Sequence, residues 1–449
     1  MLDEVFARFE KHAPLSVMMR LALEYAMPAD WADEVFEQAR QRQYPRELLF
    51  STVVRLTSLV SLGLRPSLHA AAKKEEESLP VSMTALYDKV RRTEPAILRR
   101  LVQESAQRLL PVVEALGVTP SLQGWQLRVL DGNHLPASEK RLAPLRGWRG
   151  AALPGHTLVV YDPDRGLVTD IVPCEDAHAQ ERAMTGPLLE RAQQAELWMA
   201  DRNFCTRTIM QGWQHAGASF IVREHGNHPR LIEEGLWRAR ARVDTGTLRE
   251  QAIWIEQGQP LWRRIELTLD EPTEDGDTVM RLWSNLPKTV SAAQIAQLYR
   301  KRWRIEHLFQ RLESVLESEI RSLGHPRAAL LGFAVAVLAY NVLNLLKHSV
   351  EQAHRPEQPQ IDVSTYYIAV DVRAEYEGML IALPAPAWPS WCETDAAALA
   401  DRLLGLARRL NPKRLATRKR GPKIKKPKGY VNAVIARAHV STARVLGMA

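Results

Sequence analysis

From about residue 119 the chain is written in short apolar runs set off by turn residues, and this texture constrains the fold more than any other feature. Leu127 to Leu130 is a short strand-like run that ends at Asp131. His156 to Tyr161 and Gly166 to Val172 form two more, joined by the turn Asp162-Pro163-Asp164-Arg165. Gln180 to Gln194 then reads as a helix, Glu196 to Ala200 as a strand ending at Asp201, Phe204 to His215 as a helix, and Ala218 to Arg223 as a fifth strand. Three strands in a row followed by alternating helix and strand predict an α/β sheet with mixed pairing.

The flanks differ in texture. Residues 1–118 read as helical, with apolar residues near a 3.6 period from Glu47 to Leu64 and Ser82 as the N-cap of a helix carrying Lys89, Arg91 and Arg92. That helix is either a DNA-reading element or an ordinary solvated face. Residues 225–290 alternate apolar and polar positions and predict a β-rich insertion. A helix is predicted from Ser291 to about Ser322, and a buried helix over 326–347 follows it. The apolar run Ala328–Tyr340 has 13 residues, against roughly 20 for a membrane span, so it reads as a core helix. The expected organisation is a helical N-terminal domain (1–118), an α/β core in two parts (119–224 and 291–350) around the insertion (225–290), a C-terminal helical region (351–410) and a basic tail (411–449).

Charge singles out that tail. Residues 402–449 hold fourteen Lys or Arg and no Asp or Glu, so this segment carries +14 against −6 for the remainder and accounts for the chain's net +8. A basic segment of this kind suits a polyanion, because each neutralised phosphate releases counterions. Arg418, Lys419, Arg420, Lys425 and Lys426 are the candidate contacts. The three cysteines form no CxxC pair, which fits a reducing compartment and excludes a disulfide framework. Asp3, Glu4 and Glu10 break any apolar signal segment, so the expected location is the cytoplasm, at the nucleoid, with no membrane partner.

Two Asp at strand ends suggest phosphodiester chemistry. Two divalent cations about 3.5–4 Å apart can activate an attacking oxygen and steady a leaving one. Hard cations prefer carboxylate oxygens, brought together from distant sequence on rigid elements. Asp131 and Asp201 each follow an apolar strand, and Glu306 lies mid-helix in Tyr299-Arg-Lys-Arg-Trp-Arg-Ile-Glu306. Tyr299, Arg302 and Glu306, three and four apart, share one helical face. Taken singly, each has a plainer reading: an Asx turn for the aspartates, a surface i,i+4 pair for Glu306 with Arg302.

The ordered set resembles the DDE transposases of bacterial insertion sequences, in particular insertion sequence family four. The family's Tyr-x2-Arg-x3-Glu-x6-Lys signature is matched by Tyr299, Arg302 and Glu306, while Glu313 stands where the family has Lys. Ala200-Asp201-Arg202-Asn203-Phe204-Cys205 resembles the second-Asp motif and Leu130-Asp131-Gly132 the first. The resemblance implies an RNase H-like catalytic core with the β insertion between the second Asp and the Glu. It implies Asp131, Asp201 and Glu306 as catalytic residues and ligands of two Mg²⁺ ions, with Mn²⁺ as substitute and no small-molecule cofactor. It further implies metal-dependent cut-and-paste cleavage and strand transfer on double-stranded DNA, both element ends and target, by a homodimer. Tyr299, Arg302, Arg202 and Trp283 join the basic residues above as expected DNA contacts. Trp254, Trp262 and Trp283 are candidates for stacking on a flipped base, with a core aromatic the plainer reading for each. Lys301 or Arg311 could stand in for the missing Lys. Glu313 keeps open a catalytically impaired DNA-binding relic, and the fold alone also admits an RNase H-like nuclease without strand transfer.

Overall fold

The structure, a computed structural model, describes residues 2–43, 47–75, 79–135, 142–147, 152–227, 229–255, 262–273, 276–320, 322–384, 388, 394–418 and 440–447. The N-terminal region is helical as expected: α1 (Leu2–His12), α2 (Pro14–Ala26), α3 (Ala29–Ala39), α4 (Phe50–Ser61), α5 (Leu68–Lys74), α6 (Met83–Arg92) and α7 (Pro95–Ala115). Ser82 caps α6 as its sequence suggests, accepting from the Ala85 amide.

The strands are β1 (Gln126–His134), β2 (Ala152–Leu153), β3 (His156–Asp162), β4 (Leu167–Cys174), β5 (Glu196–Ala200) and β6 (Ser219–Arg223), then β7 (Glu233–Glu234), β8 (Arg238–Val243), β9 (Gly246–Trp254), β10 (Trp262–Leu269) and β11 (Val279–Ser284). The main sheet runs β4-β3-β1-β5-β6-β11-β10-β9-β7, with β8 also on β9. The β4-β3-β1 ladder is antiparallel and β1-β5-β6 is parallel, so the sheet is mixed. The β-rich stretch after residue 224 extends this sheet, because β11 pairs antiparallel with β6.

Side chains alternate across the sheet with period two. Val129, Met199 and Ile221 face a core shared with α7 and the C-terminal helices, whereas Leu130, Trp198, Ala200, Phe220 and Val222 face a second core. That second core is aromatic: Trp198 stacks on Trp213 with ring centres 5.5 Å apart, and Trp262 meets Phe220 edge-on at 5.0 Å. Helix α9 (Arg207–His215) covers this face through Ile209, Met210 and Trp213.

Three sequence expectations change. Strand β1 does not stop at Asp131 but continues to His134, because its antiparallel ladder with β3 runs on after the parallel ladder with β5 has ended. The helix expected over 180–194 is a single 3-10 turn, Glu181–Met184, and a four-residue helix, α8 (Gly186–Leu189), since Gly186-Pro187 interrupts the backbone pattern. The helix expected over 291–322 is two: α10 (Ala292–Arg300), closed at its start by a Ser291–Gln294 capping box, and α11 (Trp303–Val315).

Helix α12 (Pro326–His354) is the long apolar helix foreseen from 326, seven residues longer than expected. It meets the length and composition of a membrane span, yet its apolar window is wholly buried inside the protein. It packs beside α7, α13 (Thr365–Ala382) and α14 (Ala396–Ala407). Its polar interruption has a partner. Fully buried Asn341 accepts from the Val168 amide at 2.8 Å and donates to the Val168 carbonyl at 2.9 Å, pairing the free edge of β4 as another strand would. Gly166 closes the β3–β4 turn at φ +69°, a conformation glycine adopts without strain, and brings the turn against His348 of α12.

Asn341→Leu would leave both Val168 groups buried and unpaired. We expect a loss of about 2–4 kcal/mol, the cost of stranding one buried donor and one acceptor, measured by urea unfolding; a stability within error of the wild type would show that this clamp contributes nothing.

Candidate active site

Asp131 and Asp201 come from adjacent strands in fixed register. The parallel ladder pairs Gln126 with Glu196 and ends with Leu130 against Ala200, so each aspartate directly follows the last paired residue of its strand. By the alternation of the sheet they leave on the face of Val129 and Met199. Asp201 opens the 3-10 turn Arg202–Phe204 and accepts from the Asn203 amide at 2.9 Å. Asp131 accepts from the Gly132 amide at 3.0 Å.

The third carboxylate arrives on α11. Between Leu298 and Ile305 the backbone bonds tighten to three-residue spacing, Lys301 to Leu298, Arg302 to Tyr299, Arg304 to Lys301 and Ile305 to Arg302. This break separates α10 from α11 at Arg302 and turns its side chain inward, to 9% exposure. The guanidinium bridges two of the expected catalytic residues: Nη1 donates to Asp131 Oδ2 at 3.1 Å and Nη2 to Glu306 Oε1 at 3.0 Å. Its Nε is buried without a partner, as is the Tyr299 hydroxyl.

Burial pushes the Asp131 carboxyl up to about 7. Arg302 pulls it down, while the negative charges of Asp201 and Glu181 push it further up. For Arg302 burial opposes the charge, but Tyr299, Asp131, Glu306 and Asp201 more than offset this and hold it protonated. The Tyr299 phenol is raised, chiefly by burial. The site thus concentrates carboxylates around a single guanidinium. Among the described residues no three His, Cys, Asp or Glu side chains are grouped closely enough to hold one ion.

One member of the site escaped the sequence reading. Glu181 accepts from Asn203 Nδ2 at 2.6 Å and lies flush against Gly132, where a Cβ would fall 1.9 Å from its Oε1. The signal available was Gly132 itself, since a glycine inside a strand marks close approach by another group.

Other expected contacts are placed differently. Trp283 is fully buried and donates to Glu224, Trp262 is buried, and Trp254 is half-buried. Lys89 is buried, reaches the Leu48 carbonyl and lies over the Phe36 ring, and burial lowers its pKa. Position inside the core removes Trp283 and Lys89 as surface contacts; hydrophobic packing, not an open face, claimed both. Tyr299 is also buried. Arg202, Arg91, Arg92 and Arg418 are exposed, Arg91 pairing with Asp88 at 2.8 Å. Lys301 pairs with Asp164 at 3.0 Å, and Glu313 is exposed. Lys419, Arg420, Lys425 and Lys426 lie outside the described residues.

This constellation sits in a recognisable segment. Residues 126–342 match the transposase DDE domain family. The matched segment begins at the first residue of β1, ends within α12 and takes in Asp131, Asp201 and Glu306. This supports a transposase. No curated protein matches the chain. Among solved structures it is similar to a piggyBac transposase synaptic complex with hairpin DNA, at 11% identity over 93% of this chain and 88% of that one, with a TM-score of 0.43, a likeness too loose to carry an argument.

The raised Asp131 has a stability consequence. Below its ordinary value of 3.8 the carboxyl is protonated folded or unfolded. As pH rises from there to about 7 the unfolded chain ionises first, so the fold loses stability across that window. In metal-free buffer Asp131→Asn should therefore melt above the wild type at pH 8, with the margin vanishing toward pH 4. Thermal melts across pH check this; a variant that melts lower at pH 8 contradicts it.

Proposed function

We propose that the protein is an insertion-sequence transposase of the family-four type, cutting DNA at the element ends and joining the freed 3′-hydroxyl to target DNA, with Asp131, Asp201 and Glu306 as its catalytic carboxylates. The observation that carries this reading is that Asp131 and Asp201 each follow the last paired residues of two adjacent parallel strands inside the segment matching the DDE domain, with Asp131 tied to Glu306 through Arg302. The order β4-β3-β1-β5-β6, antiparallel and then parallel, supports an RNase H-like core.

The donors suit hard divalent cations, Mg²⁺ or Mn²⁺: they are carboxylate oxygens, short of positive charge, beside a buried unpartnered phenol. When bound between Asp131, Asp201 and Glu306, a metal pair would activate the attacking oxygen and steady the leaving one. The chain's own residues do the rest. Asn203 holds Asp201, the sheet fixes the spacing of the two aspartates, and Arg302 balances their charge from the helix side. Arg202 is exposed and follows the second Asp directly, which supports it as a phosphate contact, with Arg91, Arg92, Arg418 and the basic tail as further backbone contacts to ends and target. Pairing of two ends would call for a homodimer.

Exposed Glu313 favours a second reading, an impaired DNA-binding relic, because a carboxylate at the family's Lys position repels phosphate. One assay separates the two. With Mg²⁺ and duplexes carrying the element end, the transposase nicks and then joins DNA, the relic only binds it, and a plain nuclease leaves no joined product. Asp131→Asn, Asp201→Asn and Glu306→Gln should each lower cleavage by at least about 10³-fold, the scale of lost metal-assisted chemistry, with gel-shift binding largely kept. Any one of the three cutting at near wild-type rate removes that residue from the site.

A further inference from the structure

The helix that carries Glu306 is held in two places. Within the site, Arg302 ties it to Asp131. Its other hold is the tight turn between β3 and β4. Lys301 Nζ donates to Asp164 Oδ1 at 3.0 Å, and Arg304 Nη1 donates to the Pro163 carbonyl at 2.7 Å. Both hooks fall inside the three-residue spacing that separates α10 from α11. Lys301 and Arg304 stand three apart, and Arg302 and Glu306 four apart, so the two pairs lie on different faces of the helix.

The turn is built to resist a pull. Fully buried Asp162 accepts from the Asp164 and Arg165 amides, each at 3.0 Å, and pairs with the Arg128 and Arg165 side chains. Asp164 accepts from the Ser121 amide at 2.8 Å and from the Ser121 hydroxyl, and its side chain is only 6% exposed. His348 of α12 donates to the Arg165 carbonyl at 3.0 Å. A carboxylate so far out of water is costly to leave without its cation, which makes the hold on Lys301 a firm one.

A helix gripped on one face alone is free to roll about its axis. A roll of about 10° carries a carboxylate roughly 6 Å off the axis through about 1 Å. A misplacement of about 1 Å costs a reaction up to about 10²-fold in rate. Grips on two faces remove that freedom.

We propose that Asp164 is a positioning residue: through Lys301 it fixes the roll of α11 and so aims Arg302 and Glu306 at Asp131. It touches no reacting atom itself. The proposal rests on the reading of Glu306 as a catalytic carboxylate.

The test uses the full-length protein with Asp164→Asn, Lys301→Met and the double variant. In metal-free buffer, backbone hydrogen exchange followed by mass spectrometry should quicken about tenfold or more over residues 301–306 in each single variant, with α7 unchanged. With Mg²⁺ and saturating element-end duplex, single-turnover cleavage should fall by about 10–100-fold, while the gel-shift Kd stays within about twofold. The double variant should cleave no more slowly than the slower single one, because both remove the same contact. Lys301→Arg, which still reaches Asp164, should cleave within about threefold of the wild type. Wild-type cleavage by Asp164→Asn, or losses that multiply in the double variant, overturn the proposal and leave the carboxylate reading standing, even where exchange quickens. A loss of DNA affinity confined to Lys301→Met makes Lys301 a DNA contact and overturns it too. If the wild type leaves DNA uncut, the carboxylate reading falls and the positioning role falls with it.

Discussion

A buried guanidinium holds the centre of this molecule together. Bringing acidic side chains out of water onto one face of a sheet is costly unless a positive charge accompanies them. Arg302 is that charge: it grips Asp131 on the sheet and Glu306 on α11, and it is itself buried. The tightened backbone around it follows from the same demand. A regular helix through Ser291–Ser322 would carry Arg302 round with its neighbours, whereas the three-residue spacing at 298–305 stacks Tyr299 and Arg302 on the inner side. Arg302 lies over both the Tyr299 and Trp303 rings, with centres 5.9 and 5.6 Å away, so the aromatic faces add to its confinement.

The sheet supplies the other half of the geometry. A parallel ladder with a constant offset is a ruler: once Gln126 pairs with Glu196, the rungs are set through Leu130 and Ala200, and Asp131 and Asp201 leave adjacent strands at the same level. Slipping the register by one residue would turn one aspartate to the aromatic face behind Leu130 and Trp198. That aromatic core, stapled by Trp283 to Glu224 and Trp262 to Gln214, therefore guards the register as well as the stability of the fold. The same packing explains why the tryptophans expected to meet DNA are inside. Their large apolar area gains more from the second face of the sheet than from solvent.

Much of this was legible in local pattern. Glu196–Ala200 was bounded correctly because a continuous apolar run between turn residues admits little else, and the N-terminal helices and α12 follow their apolar periodicity. The failures share a cause: they lie where long-range pairing overrides local preference. Strand β1 outruns Asp131 because β3, thirty residues away, continues to pair with it. The stretch after Gln180 looks helical by composition, but Gly186-Pro187 breaks it and Glu181 is drawn onto Gly132. The signature residues Tyr299, Arg302 and Glu306 were readable as a set; the bond from Arg302 across to Asp131 was not, because no spacing within one helix encodes a partner 171 positions away.

The lone guanidinium also limits what the carboxylates can do while it stays. An oxygen of Asp131 that accepts from Arg302 is not free to approach a cation closely, and Glu306 is engaged the same way. A divalent cation would compete with the guanidinium for these oxygens, so metal loading and the Arg302 bridge would be linked equilibria. A polyanion at the mouth of the site would bias that competition, since phosphate offers the guanidinium an alternative bidentate partner. Binding of DNA and readiness for chemistry would then be coupled through one side chain.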